Sequence, residues 1–149
     1  MRSRQERDAL RKVAEIRALK LAAAEAQSAQ AKARLSQESE QLERRKSELE
    51  DTQEHWQQSV SSQALRLEIA PLWGQTVQKM DTQFQQARGQ VDRATSAQDA
   101  ALKALGVADQ TAKLADRLAR RAAGSYRRDL EEAALNDAAD RHLQHGRKL

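Results

Sequence analysis

Three histidines, His55, His142 and His145, are the residues in this chain best suited to metal or proton chemistry, and it has no cysteine. His142 and His145 stand three apart and share a helix face if that segment is helical, but only Asp140 lies nearby as a further ligand. A metal site needs three or four converging donors, so a solvated tail is the better account of this pair. No glycine-rich phosphate loop, GxSxG elbow or carboxylate pair set in a cavity is evident. The expectation is a protein that is not an enzyme and needs no cofactor and no metal. Its chemistry then has to lie in charged and apolar surfaces, beginning with the basic side chains.

Residues 1–20 carry seven basic and three acidic side chains. Residues 113–128 carry Lys113, Arg117, Arg120, Arg121, Arg127 and Arg128 against Asp116 alone. Asp129, Glu131, Glu132, Asp137 and Asp140 follow as a short acidic segment. The net charge of +4 and pI near 9.7 therefore have a location, which suits acidic partners. Tyr126 is the only aromatic residue among these cations, so base stacking on nucleic acid lacks support. A second cluster is apolar: Leu65, Leu67, Ile69, Leu72 and Trp73 fall together in SVSSQALRLEIAPLWGQ, residues 59–75. It reads equally as a partner site or as a cap folded back around Trp56.

The elements that position these groups are helices. Ala alone accounts for 28 of 149 residues, while five Gly and one Pro leave little turn material. Leu, Ile, Val and Phe together make only about a sixth of the chain, the composition of helices that bury a narrow seam. Ala14, Leu21, Ser28, Leu35, Leu42, Leu49 and Trp56 recur every seven residues. Their companions Leu10, Arg17, Ala24, Ala31, Glu38, Arg45 and Thr52 form a poorer stripe. Val13, Ile16 and Leu19 are expected to widen the buried face near the start.

The second half repeats the period through Val77, Phe84, Val91, Gln98, Leu105, Ala112, Ala119, Tyr126 and Ala133. Its companions are Met80, then Ala at 87, 94, 101, 108, 115 and 122, then Asp129. Gly106 is the expected bend or stutter, because Leu114 and Leu118 leave this register. With the only proline between the halves, the expected fold is all-α: a single long two-helix antiparallel coiled-coil hairpin, a rod, over 1–149. Arm one spans about 5–60, the tip about 61–75 and arm two about 76–145. Trp56 should then lie near Met80 and Phe84, and Leu21 near Ala119. The basic stretches of both arms would form a collar, with the acidic segment facing the basic N-terminus. The alternative is a parallel dimer of one broken helix.

No apolar run approaches the roughly 20 residues of a membrane helix. The opening MRSRQERDALRK lacks the apolar core of a secretory signal, so a cytoplasmic protein is expected.

The basic start followed by LRKVAEIRALKLAAAEAQSAQAKARL, a long Gln/Glu/Arg helix, a mid-chain break and a second long helix resembles the FliJ/YscO/HrpO (SctO) stalk proteins of type III secretion. The layout is similar over essentially the whole chain. LRKVAEIRALKLAAAEA looks closer to the injectisome branch, associated with virulence, than to flagellar FliJ. The resemblance implies an antiparallel coiled-coil stalk, a regulator of the hexameric secretion ATPase in protein transport. Such a stalk inserts into the ATPase with its free ends and contacts the cytoplasmic domain of the export gate with its side and tip. Some members also bind export chaperones. It implies a cytoplasmic protein peripheral to the inner-membrane export apparatus, while the hairpin and the residues themselves lead to the expectation of a monomer in isolation with no specific nucleic acid bound and no membrane insertion. Carried onto this chain, the ATPase-facing residues are Arg7, Arg11, Lys12, Arg17, Lys20, Arg117, Arg120, Arg121, Arg127 and Arg128. The gate-facing residues are Leu65, Leu67, Ile69, Leu72 and Trp73. The competing assignment is a generic structural coiled coil or a basic nucleic-acid-associated adaptor.

An alanine seam buries less apolar area than a leucine seam, which predicts partner-dependent stability. Circular dichroism of the isolated protein should show a low-temperature or noncooperative melt. A sharp two-state transition far above mesophilic temperatures would contradict this.

Overall fold

The computed structural model describes residues 3–61 and 70–147. They form two long helices that pack against each other as an all-α antiparallel hairpin, α1 (Arg4–Ser61) and α2 (Ala70–Gly146). The chain divides into two compact units, one made of Met1–Glu25 with Ala104–Leu149, the other of Ala26–Lys103. Each unit pairs a segment of α1 with a segment of α2.

A capping box starts α1. The Ser3 Oγ accepts from the Glu6 N–H, and the Ser3 N–H donates to the Glu6 carboxylate, both at 3.2 Å. The motif is legible in the sequence as S-R-Q-E. In α2, Pro71 stands in the first turn, where a residue without an N–H is tolerated. Ala70 through Gln75 are therefore helical, and the segment expected as tip is shorter than 61–75.

Covered positions on α1 recur at alternating steps of three and four from Arg7 to Ser59, and on α2 from Trp73 to Asp129. With heptad positions lettered a to g, α1 has a at Arg7, Ala14 and Leu21, and α2 has a at Val77, Phe84 and onward to Tyr126. Both expected stripes are covered on each helix, so Arg17, Glu38, Arg45 and Thr52 sit half-buried in the seam beside the leucines. The core is small residues: Ala87, Ala94, Ala112, Ala115 and Ala122 are buried, and Leu49 is the one large apolar side chain buried with them among the described residues.

In the Ala26–Lys103 unit, Trp56 packs on Trp73 with ring centroids 6.5 Å apart, tilted at 41°. Arg45 donates to the Gln83 side chain at 3.1 Å. This register puts Leu49 level with Met80, Leu42 with Ala87 and Leu35 with Ala94, large against small. Trp56 thus pairs about two turns nearer the start of α2 than the Met80–Phe84 position expected from the sequence. In the other unit the Arg7 guanidinium lies over the Tyr126 ring, 4.2 Å from its centroid. Followed inward, that register brings Leu21 to the Ala108–Ala112 layers rather than to Ala119.

Two further expectations are corrected. Gly106 causes no stutter, because the covered positions continue through Leu105, Ala108, Ala112 and Ala115 without a skip. Leu114 and Leu118 simply lie off the seam, 54% and 36% exposed. Nor do Val13, Ile16 and Leu19 widen the core, being 45%, 52% and 72% exposed.

A Cβ at Gly106 would meet no neighbouring atom within 4 Å, and the backbone there is ordinary helix. Gly106→Ala should therefore stabilise the protein by about 0.5–1 kcal/mol in urea unfolding. Ala122→Leu, at a side chain 0% exposed, should destabilise by about 1–3 kcal/mol through overpacking. A destabilising Gly106→Ala would show that the glycine bends the helix in solution.

Candidate functional site

The charged residues of the Met1–Glu25/Ala104–Leu149 unit are sorted by heptad position. Arg4 and Arg11 occupy position e on α1 and pair with Asp8 and Glu15 at position b, at 3.9 and 3.4 Å. On α2, Asp109 and Asp116 at e pair with Lys113 and Arg120 at b, both at 2.8 Å. Arg127 reaches Glu131 at 3.9 Å. A two-fold axis perpendicular to an antiparallel pair brings like flanks together, so the b and e residues of both helices share one side, with Glu131 at the outer position f beside it. Exposed pairs of this kind contribute little to stability, but they neutralise that side.

The opposite flank, positions g and c, and the outer position f midway between the flanks are different. Lys12, Lys20, Arg117, Arg121 and Arg128 are exposed there and form no ion pair among the described residues. The Arg117 Nε donates only to the Lys113 carbonyl, at 3.4 Å. No acidic residue occupies g, c or f on α1 between Ala9 and Ala23, or on α2 between Ala104 and Arg128. Val13, Ile16, Leu114 and Leu118 lie among these cations. At one end of this flank, the missing side chain of Gly124 leaves an open dent lined by Arg120, Arg121, Ser125 and Arg128.

Of the ten cations expected to face an ATPase, two are withdrawn into the seam. Arg7 is half-buried over Tyr126, and its Nε and Nη2 donate to Asp8 Oδ1 at 3.0 and 2.8 Å. Arg17 is half-buried at a seam position. Arg11, Arg120 and Arg127 are tied to acids on their own helices. Lys12, Lys20, Arg117, Arg121 and Arg128 remain as the unneutralised set. The charge is therefore a one-sided strip, where the sequence suggested a collar. Assigning each charged residue its heptad letter would have revealed this from sequence.

Among the described residues no ion pair joins the acidic segment to the basic start of α1. Residues 131–147 are all exposed, and Arg7 has already reached Tyr126. Asp129 is half-buried at the last seam position, and its Oδ2 is buried without a hydrogen-bond partner among the described residues. In the other unit, Glu38 likewise has a buried, unpartnered Oε2 beside a shallow dent lined by Arg34, Gln90, Arg93, Ala94 and Ala97.

The apolar cluster is only partly described. Leu65, Leu67 and Ile69 lie outside the described residues. Trp73 is half-buried against Trp56, while Leu72 is 60% exposed. His142 and His145 are exposed, and the His145 Nδ1 lies 3.1 Å from the Arg141 carbonyl. Among the described residues no three His, Cys, Asp or Glu side chains converge as metal ligands, and no helix is long and apolar enough to cross a membrane. In comparisons with protein-family models, curated proteins and solved structures, the chain matches none of them.

The Arg7 guanidinium, through its hydrogen bonds and charge, holds the Asp8 carboxyl below its ordinary value of 3.8, with Arg4 and Arg11 adding to the effect. A depressed acid contributes stability above its unfolded pKa and loses it as pH falls through the lower folded value. In an NMR titration the Asp8 midpoint should fall below that ordinary value of 3.8 and move upward in Arg7→Gln. Identical midpoints in the two proteins would remove Arg7 from this role.

Proposed function

We propose that this protein is a non-enzymatic stalk of a type III secretion export apparatus. In this role it engages the hexameric secretion ATPase through the Met1–Glu25/Ala104–Leu149 unit and the export gate through the region around Leu72. The observation that carries the proposal is the antiparallel two-helix pairing with unneutralised cations, among the described residues, on one flank of the Met1–Glu25/Ala104–Leu149 unit. That arrangement agrees with the layout implied by the resemblance of LRKVAEIRALKLAAAEAQSAQAKARL to the FliJ/YscO/HrpO stalk proteins. An alanine seam keeps the pair slender, as entry into a ring's central pore requires. Lys12, Lys20, Arg117, Arg121 and Arg128 supply long-range attraction to acidic pore loops, which is screened by salt. The same role places the chain in the cytoplasm, peripheral to the export apparatus, with export chaperones as further partners.

A tagged pull-down from nuclease-treated native lysate, at low and moderate salt, tests this role. A hexameric secretion ATPase should be recovered and then lost as salt rises. Recovery of ribosomal and DNA-binding proteins alone would favour a basic nucleic-acid-associated adaptor instead. With the purified ATPase, Arg121→Glu/Arg128→Glu should abolish stimulation while far-UV helicity is retained. Unchanged stimulation would remove this flank from the mechanism.

A further inference from the structure

We infer that the g/c flank of the Met1–Glu25/Ala104–Leu149 unit is a docking surface for an acidic amphipathic helix of another protein. On α2, Ala104, Val107, Thr111, Leu114 and Leu118 repeat at steps of three and four, which is a second heptad stripe beside the buried one. Val107 and Leu114 are 65% and 54% exposed. The Thr111 hydroxyl donates to the Val107 carbonyl at 2.7 Å, so its hydrogen-bonding need is met within its own helix. On α1, Ala9, Val13 and Ile16 continue the apolar surface on the same side of the pair, since like flanks adjoin in an antiparallel arrangement. With Arg7 level with Tyr126, Ile16 falls level with Leu118, so the α1 residues extend the α2 row as one apolar strip at heptad spacing, which offers knobs and holes to a third helix.

Charge decides the occupant. Lys12, Lys20, Arg117, Arg121 and Arg128 border the strip, and no carboxylate shares the flank over this length. A second copy docking by the same face would set these cations against their own counterparts, which is repulsive. An anionic membrane also attracts a basic apolar face, but the aromatic side chains typical of interfacial helices are missing from this strip. A helix with leucine-type anchors and flanking Glu or Asp satisfies both the strip and its border. The inference does not depend on the stalk role, because any protein carrying such a helix would fit.

Two labelled synthetic peptides test it with the full-length protein. They share a heptad leucine stripe and differ only in carrying Glu or Lys at the flanking positions. Fluorescence anisotropy should show binding of the Glu peptide and at least about tenfold weaker binding of the Lys peptide. Val13→Ser/Leu114→Ser should weaken the Glu peptide by about tenfold or more. Lys12→Gln/Arg117→Gln/Arg121→Gln should do the same and flatten the salt dependence. Arg11→Gln/Arg120→Gln, on the neutralised side, should leave binding unchanged. All these positions are outside the buried seam, and retained far-UV helicity in each variant checks the fold. Equal binding of the two peptides, or equal loss from both flanks, would overturn the inference. So would a dimer in sedimentation that Val13→Ser/Leu114→Ser dissociates, or binding of phosphatidylglycerol vesicles without binding of the Glu peptide. None of these outcomes involves the ATPase, so they are distinguishable from failure of the stalk role.

Discussion

Alanine at position d of α2, repeated from Ala87 through Ala122, is the constraint from which the other features follow. Interaxial distance is set by the side chains at the contact, and a methyl group lets two backbones approach closely. The larger seam residues Leu35 and Leu42 on α1 then find room opposite the small ones on α2. Such a seam is permissive about register, because a slip by one heptad replaces alanine with alanine. The irregular layers resolve this degeneracy. Trp56 on Trp73, Arg45 to Gln83 and Arg7 over Tyr126 are pairings that a slipped alignment would break. Polar seam residues are well suited to fixing register at some cost in stability, and Glu38 and Asp129 each leave a carboxylate oxygen buried without a partner.

A narrow seam also limits where function can reside. Covering only a and d leaves the flanking positions in solvent, and the two flanks of the Met1–Glu25/Ala104–Leu149 unit carry different chemistry. Every acid of α1 from Asp8 to Glu25 and of α2 from Asp109 to Asp116 is at b or e. The acids Asp8, Glu15, Asp109 and Asp116 each pair with a cation on the same helix. The g and c positions hold unpaired cations and exposed aliphatic side chains. The small net charge of the chain therefore conceals a neutral flank and a strongly basic one.

The sequence revealed the phase of each helix almost residue by residue, since Arg7-to-Ser59 and Trp73-to-Asp129 follow the stripes read from it. It did not reveal the offset between the helices. Phase is a local property of one strand of pattern, whereas offset depends on where α2 begins. Taking Pro71 and Gly74 as part of the reversal placed the second arm too late and moved Trp56 away from Trp73. By residue type alone, Leu114 and Leu118 imply a stutter at Gly106, and Val13 and Ile16 imply a wider core. In each case the apolar residue lies off the seam. The charge pattern is hidden for a different reason: the order of cations along the chain carries no direction, and only heptad position supplies the side each one faces.

Off-seam aliphatic residues and close helix approach are physically connected. When the two backbones are drawn together by alanine, the g positions of α1 and α2 also come closer. Val13 and Ile16 on one helix and Leu114 and Leu118 on the other then adjoin as one surface instead of two isolated rows. A leucine-rich seam would spread the helices and separate these rows, weakening their ability to engage one helix at once. The feature that lowers the intrinsic stability of the pair is therefore the feature that assembles its exposed surface. A partner bound only to the paired form would return that stability in proportion to its concentration above its dissociation constant.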